Sequence, residues 1–224
     1  EIESLQNSLS TPKKPLLAII GGSKILTKID ILKNLNKKVD TMIIGGAMAN
    51  TFLLAKGISI GASLFESQCI DIAQDIINDA KEKNVNLIIP VDGKVAKSLS
   101  MNAVAKNKNI EDIEPDDMIL DLGAESIKII LGELKKAKTV IWNGPLGAIE
   151  YKPFDQATIT VAKELARNCK QKKIKVVAGG GDTIYGINLS KCVKDFTHVS
   201  TAGGAFLEWL EGKTLPGVSA ILDK

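Results

Sequence analysis

The sequence predicts a three-layer α/β domain built on a mostly parallel, six-stranded sheet, and three observations support this prediction. Short runs rich in isoleucine and valine alternate with longer segments in which apolar residues recur at helical spacing, as they do in βαβ units. Nearly every apolar run ends in glycine. The chain has 224 residues, 45% of them apolar, which is enough for a full core in one or two domains.

The predicted strands are the apolar runs bounded by turn residues. Six are assigned to the parallel sheet, at 17–20, 42–44, 87–89, 140–142, 176–178 and, more weakly, 197–199. A further run at 118–120 follows the turn IEPDD and predicts an accessory strand. The pattern favours a Rossmann-like domain with strand order 3-2-1-4-5-6, in which strands one and four flank a crevice.

The predicted helices lie between these strands, at 25–37, 48–56, 67–83, 124–136, 155–170, 182–190 and 203–211. Before the first strand, Ile2, Leu5 and Leu9 also recur at helical spacing, until TPKKP ends the pattern. This opening segment predicts either the end of a helix whose beginning is missing or an exposed helix that frays. The segment alone does not decide between them.

Charge and cysteine content exclude several classes of site. The formal net charge is +3, and nearly all basic side chains are lysine, with Arg167 the sole arginine and His198 the sole histidine. This excludes clustered arginine recognition and sites that need two imidazoles, and it predicts neither a nucleic-acid nor a membrane partner. Cys69, Cys169 and Cys192 lie far apart without CxxC spacing, so no disulfide framework or zinc site is expected. With no signal peptide and no membrane-spanning run, the chain is expected to be cytoplasmic.

Glycine-rich loops follow the predicted strands, with the sequences GGSK, GGAM, NGP, GGGD and AGGA. The carboxyl ends of parallel strands meet at one edge of a sheet, where glycine allows a backbone to approach a phosphate group. Glycine also makes tight turns, which accounts for one or two such loops. Five of them at one edge predict a nucleotide or polyphosphate site.

Two standard phosphate-binding motifs are absent. Gly212, Lys213 and Thr214 look like the end of a Walker A motif, but Leu207 occupies the position of its first glycine. The loop after the first strand reads GGSKILTK and lacks the GxGxxG fingerprint. These absences disfavour an unrelated Rossmann-type oxidoreductase and predict a phosphate site of another kind.

Lys24 and Lys28 are the predicted phosphate ligands beside the first loop. Placed four residues apart in the first turns of a helix, both would project from one face. There they repel each other and oppose the helix macrodipole unless an anion lies between them. The alternative is a solvated pair in a lysine-rich chain, which the adjoining Gly-Gly disfavours.

The loops after the fourth and fifth strands carry the other polar candidates. Asp182 and Thr183 begin a predicted helix after three glycines, where either side chain is a common N-cap and where a carboxylate beside bound phosphates would hold Mg²⁺. Both interpretations are compatible. Asn143 offers an amide at the sheet edge, Pro145 stiffens its loop, and Glu150 could accept hydrogen bonds from a ribose.

Taken together, five segments resemble phosphoglycerate kinase. They are GGSKILTK, IIGGAMANTF, WNGPLGAIE, AGGGDT and HVSTAGGAFLEWLEGKTLPGVSA, in that order, and the similarity extends from about Lys13 to the C-terminus. Each segment is weak alone, but the set is specific. The similarity is to the C-terminal, nucleotide-binding half of that family. Residues 13–224 are thus expected to form this domain, and residues 1–12 to be the remainder of the interdomain helix.

The resemblance implies an activity, the reversible phosphoryl transfer between Mg-ATP and 3-phosphoglycerate in glycolysis. ATP or ADP and Mg²⁺ are the implied cofactors, and 3-phosphoglycerate or 1,3-bisphosphoglycerate would bind the missing N-terminal domain. The chain is expected to be a monomer without turnover of its own. A non-catalytic nucleotide-binding module is the alternative.

The same resemblance implies the roles of individual residues. Lys24 would act on the transferring phosphoryl group, together with Gly181 and Gly204 at the helix ends that face it. The implied nucleotide ligands are Lys28, Gly45, Gly46, Gly123, Asn143, Pro145, Glu150, Gly180, Gly181, Asp182 and Thr183. Asp182 is also the implied Mg²⁺ ligand.

The sequence departs from the family pattern at three positions. Ala47 and Ala202 each replace a glycine of a triplet, and Ile149 replaces a common phenylalanine. These changes would narrow the adenine slot or stiffen the hinge loop. None removes a polar group, so nucleotide binding is expected to persist.

Overall fold

The computed structural model describes residues 12–200 and 203–213. Within these residues, six parallel strands form one sheet, as predicted. They are Leu16–Ile20 (β1), Thr41–Ile44 (β2), Asn86–Ile88 (β3), Thr139–Asn143 (β7), Lys175–Gly179 (β8) and His198–Ser200 (β9). Their bounds agree with the predicted ranges to within one residue at each end.

The order of the sheet is β3-β2-β1-β7-β8-β9. Counted within this sheet alone, that is the predicted order 3-2-1-4-5-6. Ala18 of β1 pairs with Met42 on one side and with Ile141 on the other, in parallel in both cases. The carboxyl ends of β1 and β7 are therefore neighbours, and the loops that follow them border one crevice.

Helices cover both faces of this sheet. In the described parts of the chain the α-helices are Ile29–Leu35 (α1), Met48–Ala55 (α2), Ile70–Glu82 (α3), Ala124–Leu134 (α4), Gln156–Lys170 (α5), Gly181–Leu189 (α6) and Gly203–Leu210 (α7). Residues of α1, α2, α3 and α7 belong to one apolar core, and residues of α4, α5 and α6 belong to the other.

The two cores receive alternate side chains of the same strands, because successive strand residues face opposite sides of a sheet. Ala18 and Ile20 of β1 belong to the first core, whereas Leu17 and Ile19 belong to the second. All five residues of β1 are buried. This continuous apolar run is typical of a parallel sheet covered on both faces.

The predicted helix at 25–37 is wrong in its first turn. Leu26–Lys28 form a short 3₁₀ turn, and α1 begins only at Ile29. Lys24 lies in the loop before this turn and is exposed. Lys24 and Lys28 therefore do not share a helical face.

A second, antiparallel sheet of the described residues lies between β3 and α4 in the chain. It consists of Asp92–Ala96 (β4), Lys106–Asn109 (β5) and Met118–Leu122 (β6), in the order β5-β4-β6. The predicted accessory strand at 118–120 is confirmed as β6. The sequence prediction misses both β4 and β5. For β5 the reason is that its sequence, KNKN, has no apolar side chain.

Predictions for three parts of the chain fall outside the described residues. The predicted remainder of a helix at 1–12 lies outside the described residues except for residue 12, as do Ala202 and residues 214–224. Within the described ranges, no helix combines the length and apolarity that crossing a membrane requires.

Candidate functional site

Four loops at the carboxyl edge of the main sheet form what we call the glycine rim. They follow β1, β2, β7 and β8 and comprise residues 21–24, 45–47, 144–146 and 180–182. Backbone hydrogen bonds join the first three loops. Gly22 N–H donates to the Pro145 carbonyl at 2.9 Å, and Gly46 N–H donates to the Leu146 carbonyl at 3.0 Å. The structure thus brings the predicted residues of these three loops into one cluster.

Close backbone packing requires glycine at two positions of the rim. Gly144 has a φ of +94° and Gly46 a φ of +67°, in the region that disfavours other residues. A Cβ on Gly144 would overlap the carbonyl oxygen of Gly21, and a Cβ on Gly46 would overlap that of Gly22. Packing between the loops therefore accounts for these two glycines whether or not a ligand is bound.

Lys28 points its ammonium group into the junction of the loops after β1 and β7. Its Nζ donates to the Gly21 carbonyl at 2.6 Å and to Asn143 Oδ1 at 2.7 Å. Burial lowers the pKa of Lys28 to about 8, an effect that the carboxylate of Asp182 opposes. Among the described residues Lys28 forms no ion pair. The site therefore holds a desolvated cation without a directly bound counter-charge.

Glu66 shapes the turn that carries Lys28 and was not predicted from the sequence. Its carboxylate accepts hydrogen bonds from the backbone N–H groups of Ile25 and Leu26, at the start of the 3₁₀ turn. Glu66 precedes α3 and lies about forty residues away in the chain. No local pattern connects the two segments, so short-range spacing could not reveal this contact or the resulting shift of α1.

Asn143, the last residue of β7, links three loops through its side-chain amide. Its Oδ1 accepts from Lys28, and its Nδ2 donates to the carbonyl of Gly179 at 2.8 Å. Asn143 is 3% exposed, so the amide is a buried link between the loops after β1, β7 and β8. Its hydrogen bonds position the rim.

The loop after β8 ends in a helix that begins one residue earlier than predicted. α6 starts at Gly181, after Gly180 with a φ of +97°. The predicted N-cap roles of Asp182 and Thr183 are therefore wrong, since both lie inside the first turn. Thr183 Oγ1 accepts from Gly144 N–H at 2.6 Å and donates to the Gly179 carbonyl at 2.8 Å.

Asp182 has an exposed carboxylate, whereas the neighbouring Thr183 is buried. With the residues that the structure describes it makes no hydrogen bond and no ion pair, although its charge acts on Lys28. It lies in the first turn of α6, where the helix dipole stabilises a negative charge. The carboxylate is thus available to a cation at the edge of the rim.

The chain matches one protein family along most of its length. The family model described as phosphoglycerate kinase matches residues 1–213. The phosphoglycerate kinase of Caulobacter vibrioides is 49% identical over 221 residues, which is 99% of this chain. The corresponding protein of Methylorubrum extorquens is 50% identical over the same share. The chain belongs to the phosphoglycerate kinase family.

Solved structures named as phosphoglycerate kinases have a similar fold. The structure from Coxiella burnetii gives a TM-score of 0.94 at 43% identity and covers 99% of this chain and 56% of that one. The structure from Pyrococcus horikoshii gives a TM-score of 0.80 at 25% identity and covers 99% of this chain and 55% of that one. The chain likewise spans 56% of the Caulobacter relative and 55% of the Methylorubrum relative. It therefore spans a little over half the length of the phosphoglycerate kinases that it matches.

Gly123, which the family resemblance assigns to the nucleotide, follows β6 instead of a strand of the main sheet. A Cβ on Gly123 would overlap the carboxylate of Asp92, which caps the start of α4. A narrow slot separates β6 from the rim and is lined in part by Gly46, Leu122 and Leu146. Gly123 therefore directly follows Leu122, one of the residues that line the slot together with Gly46.

The remaining site residues from the family resemblance are Glu150, Gly204 and Gly45, which follow three different strands of the main sheet. Glu150 is exposed, and no described residue forms a hydrogen bond or ion pair with its side chain. Gly204 lies in the first turn of α7, after β9. Gly45 is buried, and a Cβ there would overlap the Leu146 side chain.

Two of the departures from the family pattern, Ala47 and Ile149, lie within the described residues. Ala47 precedes α2 with φ −64° and ψ −23°, which any residue adopts without strain. Ile149 is 3% exposed and belongs to the buried apolar residues. Neither side chain carries a polar group into the rim.

Gly144→Ala is expected to lower the free energy of unfolding by more than about 2 kcal/mol, because a positive φ and an overlap with Gly21 coincide there. Gly132→Ala is the matched control. Gly132 lies inside α4 with open space around it, so alanine should stabilise the helix by roughly 0.5–1 kcal/mol. Urea unfolding measured by circular dichroism gives both values. Wild-type stability of Gly144→Ala would contradict the packing described for the rim.

Proposed function

We propose that the chain is the nucleotide-binding half of a phosphoglycerate kinase. It binds ATP or ADP with Mg²⁺ at the glycine rim, while 3-phosphoglycerate or 1,3-bisphosphoglycerate binds the part of the relatives that the chain does not span. The phosphoryl group then passes reversibly between the terminal position of ATP and the carboxylate of 3-phosphoglycerate.

Lys28 carries this proposal. A buried ammonium group costs free energy unless a negative charge compensates it, and the described residues offer Lys28 only carbonyl and amide oxygens at hydrogen-bonding distance. Phosphate oxygens above the rim would supply that charge. The first turn of α6 also presents backbone N–H groups at this edge, which suits the same ligand.

A lysine-lined cavity at the opposite, amino edge of the sheet is a weaker candidate for the nucleotide. It has a volume of about 860 Å³ and is bordered by lysines including Lys13, Lys138 and Lys173. Those lysines gather near the C-terminus of α5, where positive charge is favourable without any ligand. The rim has glycine loops, a helix N-terminus and a desolvated lysine together, and we therefore assign the nucleotide to the rim.

The residues of the rim fit a Mg²⁺ ion. In nucleotide sites Mg²⁺ usually takes one or two carboxylates and completes its shell with phosphate oxygens and water. Asp182 supplies one exposed carboxylate in the first turn of α6. When bound there, Mg²⁺ would neutralise part of the phosphate charge.

The other group of carboxylates in the described residues suits a metal less well. Glu114, Asp116 and Asp117 lie close together, but Lys97 and Lys108 already pair with them. The lysines neutralise the charge that would attract a cation. We therefore assign Mg²⁺ to Asp182.

Phosphoryl transfer depends mainly on positioning and on neutralising charge at the transferring group, so no nucleophilic side chain is needed. Lys28 would hold the nucleotide phosphates from below the rim. Lys24 is exposed in the loop after β1 and would contact the transferring group. Gly181 and Gly204 would offer backbone N–H groups from the first turns of α6 and α7.

Three attributes rest on the sequence alone and stay predictions. They are a monomeric state, a cytoplasmic location, and the lack of nucleic-acid or membrane partners. The proposed function requires none of them.

Mg²⁺ is expected to strengthen ADP binding to the chain at least about tenfold, or about 1.4 kcal/mol, because Asp182 and the phosphates would share the ion. Asp182→Asn should remove most of this gain, since a neutral amide is a weaker ligand for Mg²⁺. Calorimetric titration of ADP with and without Mg²⁺ measures the effect, and NAD should not compete with ADP.

Asp116→Asn is the matched control, because Asp116 is an exposed carboxylate of the lysine-paired cluster. It should leave the Mg²⁺ effect unchanged. If Asp116→Asn abolished the effect and Asp182→Asn did not, the metal assignment would be wrong. Absence of ADP binding to the wild type would refute the proposed function itself.

Binding of Mg-ADP at pH 9 is expected to take up more than about half a proton. The pKa of Lys28 in the free chain is about 8, so this amine is mostly neutral at pH 9, and phosphate oxygens beside it would raise its pKa. ADP affinity should accordingly fall as the pH rises above about 8. Titration calorimetry in buffers of different ionisation enthalpy measures the proton uptake.

Lys28→Arg provides the control for this proton uptake. Arginine stays charged at pH 9, and the phosphates of ADP are fully ionised there, so the variant should bind without uptake. Equal proton uptake by wild type and variant would assign the proton to another group and would contradict the placement of Lys28 beside the phosphates.

The chain alone is expected to phosphorylate 3-phosphoglycerate at a negligible rate while still binding ADP. The acceptor site and the closure that brings the two substrates together are assigned to the part of the relatives that it does not span. A coupled assay with ATP, Mg²⁺ and 3-phosphoglycerate tests this, with the full-length Caulobacter vibrioides protein as positive control. Substantial turnover would overturn the proposed division between the two halves.

A further inference from the structure

Asp121 is a buried carboxyl group to which the proposed function gives no role. It lies in β6, two residues before Gly123, and is 2% exposed. Its Oδ1 accepts from Leu122 N–H at 2.9 Å, and its Oδ2 accepts from Ala157 N–H at 3.0 Å. Both oxygens thus face donors, an arrangement that suits the ionised carboxylate.

The bond to Ala157 caps α5 from a distant strand. Ala157 is the second residue of α5, and Asp155, at the N-cap position, makes no capping hydrogen bond with its side chain. Asp121 supplies this cap instead. A carboxylate at a helix N-terminus also interacts favourably with the helix dipole.

The same carboxyl group lies directly under the loop after β7. A Cβ on Gly147 would overlap Asp121 Oδ1, so the loop backbone rests on the carboxylate. The neighbouring Ala148 N–H donates to the Leu120 carbonyl at 2.9 Å, and Leu146 N–H donates to Thr158 Oγ1 at 3.0 Å. Residues 146–148 are thus held between β6 and the first turn of α5.

The loop after β7 contains residues 144–146 of the rim, follows Asn143 and ends near Glu150. We propose that Asp121 is a positioning residue for the loop 143–150, and that its ionised carboxyl group keeps this loop in the arrangement that binds the nucleotide. The inference rests on the proposed function, because it assumes that the rim binds Mg-ADP. Asp121 is 2% exposed and would act on nucleotide binding through the loop.

The charge state of Asp121 changes near neutral pH. Burial raises the pKa of Asp121 to about 7. The two backbone N–H donors and the charge of Lys94 on β4 lower this pKa, whereas the charge of Asp155, just before α5, raises it further. The loop itself contributes Glu150 as its sole titratable side chain, and Glu150 is exposed. Protonation would put a hydrogen on one oxygen that now faces an N–H group.

The raised pKa of Asp121 means that ionising this carboxyl group costs stability in the folded chain, even though the ionised group caps α5. Because its pKa in the folded chain lies above the ordinary value, this group contributes stability at low pH that is lost as the pH rises through about 7. The carboxylate therefore costs stability at the pH at which it orders the loop, a combination more common at functional positions than in structural cores.

Asp121→Asn tests the proposal, because asparagine has the shape of aspartate but resembles its protonated form. At pH 8 the variant should bind Mg-ADP about tenfold more weakly than the wild type, the effect of one lost charge-assisted hydrogen bond. At pH 6 the two should bind within about twofold, because wild-type Asp121 is then mostly protonated. The ratio of the two affinities at each pH cancels any effect that the titration of ADP or of other side chains has on both proteins.

Asp117→Asn is the matched control. Asp117 is also 2% exposed, and it pairs with Lys97 and Lys108 away from the rim. Its replacement should lower stability but leave the ratio of affinities to wild type near one at both pH values. A drop in affinity at pH 8 in both variants would point to general loosening of the fold and would overturn the specific role of Asp121.

A measurement on the wild type keeps the proposal testable if Asp121→Asn does not fold. If the chain with ionised Asp121 binds Mg-ADP more tightly, bound Mg-ADP must in turn lower the pKa of Asp121. A ¹³C NMR titration of the Asp121 carboxyl group with and without Mg-ADP would detect this lower pKa. A pKa of Asp121 that is unchanged by bound Mg-ADP would overturn this inference and leave the proposed function standing. If Mg-ADP does not bind at any pH, the proposed function fails and the inference fails with it.

Discussion

The rim depends most on the hydrogen bonds of the Lys28 ammonium group at the crevice between β1 and β7. It joins the carbonyl of Gly21 to the side-chain oxygen of Asn143, and Asn143 in turn bonds Gly179. One cation thus connects the loops after three neighbouring strands. Its burial costs free energy, and the glycines let the loops close around it. The arrangement places a buried positive charge, which Asp182 compensates only from a distance, where the strand order of the sheet reverses, and this is where open α/β sheets bind ligands.

Carboxylates from distant segments secure the elements around this crevice. Among the α-helices whose N-caps the structure describes, none is capped by the side chain of its own N-cap residue. Instead Glu66 bonds the turn before α1, Asp92 caps α4, and Asp121 caps α5. Each of these carboxylates also lies close to a residue of the rim or to a glycine assigned to the nucleotide. The capping contacts therefore connect helix ends to the site, so loss of one cap would move a loop as well as a helix.

The sequence predicted the main sheet because its strands are continuous apolar runs, and the strand order followed from the alternation with helices. It placed the loops of the rim together, since parallel strands end at one edge. It failed where the deciding contact is long-range. Lys24 and Lys28 were expected on one helical face, but Glu66 holds a 3₁₀ turn there. β5 was missed because KNKN has no apolar side chain. Asp121 gave no local signal because it caps α5 and packs against Gly147, both of which are distant in the sequence.

Mg-ADP is proposed to bind at the carboxyl edge of the sheet, over Lys28. The most direct test is a map of backbone amide chemical shifts of the ¹⁵N-labelled chain as Mg-ADP is added. The account predicts the largest changes at Gly22, Gly46, Gly144 and Gly181, whose amides lie on the four loops of the rim. Changes centred on the lysine-lined cavity at the amino edge, around Lys138 and Lys173, would contradict it.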